Sequence, residues 1–185
     1  MSAKVFLKDA MALWLSIHSQ FLSWAKRRHG HRRMRARWTA ARILSIKGAD
    51  DRETVARRIA YLRKIDPWVF EDLVLDAFQR RGWTLVRNHR YTGDGGLDGR
   101  VYADGVWCGV QCKRYKGDVP LSMITRLARD LRREGLTRGF FIHTGRMTRA
   151  ALDNTPQGVV ILSPVDLVRW IGREDFDKNF AVWGE

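Results

Sequence analysis

The chain has 185 residues, a length that suits one ordinary domain with an extension. A hydrophobic share of 45% excludes a disordered chain, because that much apolar surface supports a packed core. The net charge of +14 points to a polyanionic partner, either nucleic acid or an acidic membrane surface. Cys108 and Cys112 are too few for a secreted disulfide scaffold, and their spacing is not that of a CxxC zinc or redox motif, so the cytoplasm is the expected compartment.

The charge is unevenly spread. Residues 1–50 hold 11 Lys or Arg against Asp9 and Asp50, a net of +9, which leaves +5 for residues 51–185. The expected division is therefore an amphipathic helix and basic arm over 1–50 and a globular domain over 51–185. In residues 10–25, Leu13, Trp14, Ile17, Phe21 and Trp24 recur at helical spacing. Lys8, Asp9, His18 and Gln20 break any run long enough to span a membrane. The reading adopted is a buried helix, with peripheral membrane contact or an oligomer interface such as a homodimer as the alternatives. The run 26–37, KRRHGHRRMRAR, reads either as a solvated linker or as an arm that adds affinity through phosphate contacts.

Residues 51–65 carry Val55, Ile59, Leu62 and Ile65 on one helical stripe. Asp66-Pro67 then predicts a stop and a restart, with Asp66 as N-cap and Pro67 in the first turn of a helix that runs to about Arg81 and ends at Gly82. Beyond Gly82 the period changes. Strands are expected at 83–87, near 97–103 and at 106–115, the last two joined by a hairpin turn at Asp104-Gly105. A helix at 121–134, a doubly buried strand at 139–144, a short helix from Thr148, a strand at 159–162 and a helix after Pro164 follow. This order indicates an α/β fold with a mixed sheet and helices on both faces.

The strand at 106–115 carries the first chemical signal. Side chains alternate, so Val106, Cys108, Val110 and Cys112 share one face, while Trp107, Gly109, Gln111 and Lys113 share the other, where Gly109 leaves room beside an amide and an ammonium. Lysine within a strand is unusual, since it is seldom buried without a partner; a snorkelling surface lysine is the ordinary explanation. The preceding loop, Gly93 to Gly99, packs four glycines around Asp94 and Asp98, and it matches neither a dinucleotide fingerprint nor a phosphate loop. The hairpin turn would bring Asp98 near Gln111 and Lys113. On the 67–81 helix, Glu71 stands at the edge of the stripe formed by Phe70, Leu73, Val74, Ala77 and Phe78, and Asp72 points away from it.

Phe70-Glu71, Gly82-Trp83, the run GDGGLDG at 93–99 and VQCKRY at 110–115 together resemble the catalytic domain of Mrr-type restriction endonucleases, a branch of the PD-(D/E)xK nuclease superfamily. The resemblance covers about residues 66–172. It implies a restriction-endonuclease-like mixed β-sheet flanked by helices, here with an N-terminal helical basic extension. Carried over by position, Asp98 matches the metal-binding aspartate, Lys113 the catalytic lysine and Glu71 the acidic helix residue of the site. Gln111 stands where the wider superfamily has Glu or Asp and the Mrr branch commonly has glutamine, and the Cys112 backbone carbonyl matches a further metal ligand. Endonucleases of this type often carry a separate winged-helix domain that chooses the DNA; residues 1–65 are too short and too unlike one.

The activity implied is a metal-dependent DNA endonuclease. Oxygen ligands suit Mg²⁺, with Mn²⁺ as a substitute, and no small-molecule cofactor is expected. DNA is the expected partner: Arg114 and Lys116 would hold phosphates beside the site, and Arg126 and Arg129 would extend the track. The alternatives are a structure-selective nuclease of the Holliday-junction type on the same fold, and a DNA-binding module with a degenerate metal site.

Overall fold

The computed structural model describes residues 31, 34–46, 51–88, 96–103 and 105–172. The expected 10–25 helix lies outside them. Residues 34–45 form the first described helix, α1. Ala36, Ala40 and Ile43 recur at helical spacing and are buried in the main core, so the end of the basic run is a packed helix from Met34 onward rather than a solvated linker.

Helix α2, Arg52–Leu62, starts where the Asp51 carboxylate accepts a 2.7 Å hydrogen bond from the Thr54 N–H. It ends three residues before the expected Ile65. A residue ahead of proline disfavours helical backbone, so the chain must leave the helix before Asp66-Pro67. Helix α3, Pro67–Arg80, is capped by Asp66, which accepts from the Trp68 and Val69 N–H groups. Gly82 follows at φ +77, the left-handed conformation expected after a helix end.

Strands β1 (Thr84–Arg87), β2 (Gly99–Ala103) and β3 (Val106–Lys113) form an antiparallel meander. Helix α4 (Leu121–Arg133) leads to β4 (Arg138–His143), and α5 (Arg149–Asp153) leads to β5 (Val159–Leu162); β3–β4 and β4–β5 pair in parallel. Helix α6, Pro164–Gly172, closes the described chain. The sheet order is β1-β2-β3-β4-β5, a mixed sheet as expected from the element order.

Two cores flank the sheet. On one face Phe70, Leu73, Val74 and Phe78 of α3 and Leu167 of α6 pack against Val101, Cys108, Val110, Cys112, Phe140 and Ile142. On the other, Ile124, Leu127 and Leu131 of α4 pack against Leu97, Phe141 and Val159. The room expected beside Gly109 is thereby filled: a Cβ there would lie 2.5 Å from Leu131 Cδ2 and 2.9 Å from Leu97 Cδ1. The glycine lets the leucines reach the sheet and leaves no open space for a ligand. Among the described residues no helix is long and apolar enough to cross a membrane.

Candidate active site

Strand β3 ends at Lys113, two residues earlier than expected, because the next residues are drawn to other partners. The Tyr115 N–H donates to the Thr144 hydroxyl at 3.0 Å, and that hydroxyl donates to the Tyr115 carbonyl at 2.8 Å. Arg114 donates to the Arg63 carbonyl at 2.6 Å, and Arg63 Nε donates to the Thr144 carbonyl at 2.7 Å. The strand end that carries Gln111 and Lys113 is thus tied to the end of α2 and to the residue after β4. Thr144 and Arg63 were not legible as site-holding residues, because their partners lie 29 and 81 residues away.

The β2–β3 register pairs Gly99 with Val110. Asp98, one residue before β2, therefore comes opposite Gln111, as the hairpin predicts. Its own N–H donates to the Val110 carbonyl at 2.8 Å, and its carboxylate accepts from the Cys112 N–H at 2.6 Å. Because the N–H and C=O of one strand residue point to the same side, the Cys112 carbonyl is directed to this same edge.

Gln111 and Phe141 are register partners, which places the Gln111 side chain on the α4 face. It is fully buried, and its Nε2 makes a long 3.5 Å contact with the Gly96 carbonyl. Glu71 comes from α3 on the opposite face and is half-buried. Cys112 shows what converges here. Its thiol is pushed well above the ordinary cysteine range, first by burial and then by the negative charges of Asp98 and Glu71, against which Lys113 acts. Three of the four expected catalytic residues are therefore within electrostatic reach of the residue between Gln111 and Lys113.

Burial also holds the Asp98 carboxyl up at about 6, although the Cys112 N–H and the Lys113 ammonium both pull it down. A cation at this carboxylate would favour its charged form. The donors available are the oxygens of Asp98, Gln111, Glu71 and the Cys112 backbone, a set that fits a hard divalent ion. Among the described residues no three His, Cys, Asp or Glu side chains cluster as a ready-made metal site, so an ion here would depend on amide and main-chain oxygens.

The four expected DNA contacts fall in different settings. Lys116 and Arg129 are exposed, and Arg126 is half-buried on α4. Arg114 is half-buried with its guanidinium turned inward to Arg63.

No curated protein matches the chain. A family model described as restriction endonuclease, that of the Mrr catalytic domain, matches residues 62–171. The match takes in α3 through β5, and with them Glu71, Asp98, Gln111 and Lys113. With this nuclease domain over more than half its length, the chain belongs to the Mrr-type restriction endonucleases of the PD-(D/E)xK superfamily.

Proposed function

We propose that this protein is a divalent-metal-dependent DNA endonuclease whose catalytic residues are Glu71, Asp98, Gln111 and Lys113. The observation that carries the reading is the 2.6 Å bond from the Cys112 N–H to Asp98, which joins the acid to the strand bearing the amide and the lysine. Asp98, Gln111 and the Cys112 carbonyl would hold Mg²⁺, or Mn²⁺ in its place, with Glu71 on the outer side. A bound cation would supply Lewis-acid stabilisation of charge at the scissile phosphate.

The chain's own groups do the rest. Lys113 is half-buried and would bring a positive charge to where negative charge develops on phosphorus. Glu71 orients water on the α3 side. Thr144 and Arg63, through their bonds to Tyr115 and Arg114, keep the end of β3 from shifting, which matters because small misplacements of reacting groups cost large factors in rate. Lys116 and Arg129, both exposed, would hold phosphates by charge.

The test is cleavage of plasmid and linear duplex with Mg²⁺ by the parent, Asp98→Ala and Lys113→Ala. Each variant should lose cleavage while keeping the parent's circular dichroism spectrum. Full cleavage by either folded variant overturns the assignment.

A further inference from the structure

Helix α1 lies outside the span matched by the family, and with the α2–α3 corner it forms a groove of about 660 Å³. Trp38, Arg35 and Arg42 line it from α1, and Tyr61, Lys64 and Asp66 line it from the corner. Trp38 is 73% exposed, the most exposed large hydrophobic side chain among the described residues. Burial of Ala36, Ala40 and Ile43 fixes which side of α1 meets the core and leaves the indole outward. The Arg42 guanidinium lies 5.7 Å from the centre of the Tyr61 ring, a cation–π contact that holds the arginine over the groove. Asp66, the one acid in the lining, is engaged in capping α3. The groove therefore offers an aromatic face and three cations with little opposing charge.

We infer that this groove binds unpaired nucleotides of DNA, with a base stacked on Trp38 and phosphates held by Arg35, Arg42 and Lys64. An open indole in a cationic groove is the chemistry that receives single-stranded bases, because every base has a π-face and every linkage a charge. In a duplex those π-faces are stacked on neighbouring pairs and hidden, so paired DNA cannot use Trp38 in this way. The volume is that of a pocket for one small ligand, the scale of a nucleotide or two. The corner is also bonded to the strand of the candidate site, since Arg63 accepts from Arg114, the residue after Lys113. The inference rests on the nuclease reading above and narrows it to DNA with an unpaired stretch near the cut.

The experiment is fluorescence anisotropy with the full chain in EDTA, using a labelled oligothymidylate and a blunt duplex of equal length. Trp38→Ala should weaken oligothymidylate binding about tenfold and leave duplex binding within about twofold, while Trp38→Phe keeps most of the affinity. Arg42→Ala should reduce the salt slope for the single strand by somewhat less than one unit. Unchanged oligothymidylate binding by Trp38→Ala, or equal loss on both probes, overturns the proposal. So does a concentration-dependent sedimentation change abolished by Trp38→Ala with DNA binding intact, which assigns the groove to self-association. Cleavage by Asp98→Ala separates the two readings. If Asp98→Ala still cuts, the catalytic assignment fails and the groove data stand; if it is inactive while Trp38→Ala binds like the parent, only the groove fails.

Discussion

Lys113 on β3 and His143 on β4 are register partners in the central parallel pair, one half-buried and one buried. Neither ring nitrogen of His143 makes a hydrogen bond of good geometry. Burial pushes the imidazole down to about 4, and the Gly145 backbone and Asp166 offset this only in part. Next to the candidate site the fold therefore holds a histidine that must stay neutral.

The pH dependence of stability follows, in two opposing parts. The unfolded state protonates His143 near 6.5 and the folded state only near 4, so its contribution is full above 6.5 and is lost as pH falls to 4. The full loss is about 3 kcal/mol. Asp98 has the opposite sign: its folded pKa is raised to about 6, so stability is lost as pH rises from about 4 to 6. In urea titrations with EDTA, Asp98→Asn should show stability rising with pH across 4 to 6.5. His143→Gln should show it falling there, and the parent should lie between. Parallel curves for the parent and both variants contradict this.

Arg87 on β1 should be a large contributor to stability. It donates to Asp72 at 2.8 Å and also to Asp76 on α3, and the three side chains are only 11 to 15% exposed. Removing the guanidinium leaves two poorly hydrated carboxylates one helical turn apart. Arg87→Ala should lose about 3 kcal/mol in chemical denaturation, as for a buried pair with one partner removed. A loss below about 0.5 kcal/mol would show that the pair behaves like a surface ion pair.

Gly109→Ala should affect cleavage more than folding. The added Cβ meets Leu131 and Leu97, and Leu97 precedes Asp98. Overpacking costs about 1–3 kcal/mol, and the displaced Leu97 carries the Asp98 carboxylate with it. Cleavage should fall at least tenfold at a temperature where the variant remains folded, and Leu131→Ala in the same chain should restore part of it. Parental cleavage by Gly109→Ala would show that Leu97 yields without moving Asp98.

Gln111→Glu should make stability depend on metal. The side chain is fully buried, so a second carboxylate beside Asp98 is costly without a cation. The variant should melt lower than the parent in EDTA, gain more from added Mg²⁺ and cut at a lower Mg²⁺ concentration. Gln111→Ala should need more Mg²⁺ or stop cutting. If Gln111→Ala cuts at the parent's Mg²⁺ optimum and rate, Gln111 is not a ligand.

Local rules carried much of the fold. Asp66-Pro67 and Gly82 bound α3, Gly105 marks the β2–β3 turn, and strand alternation separates Cys112 from Gln111 and Lys113, because each depends on residues adjacent in the chain. The same short-range geometry brings Asp98 opposite Gln111 across one hairpin. What only tertiary structure decided depends on contacts distant in sequence. Arg63 and Thr144 look like ordinary loop and helix-end residues until the fold sets them against β3. Gly109 looks like open space until Leu131 arrives from α4. Arg87 becomes a clamp only when β1 packs beside α3. The basic run hides the start of the Ala36, Ala40 and Ile43 stripe, which begins inside the run and continues past its end at Arg37, whereas burial against the core determines the helix and turns Trp38 outward.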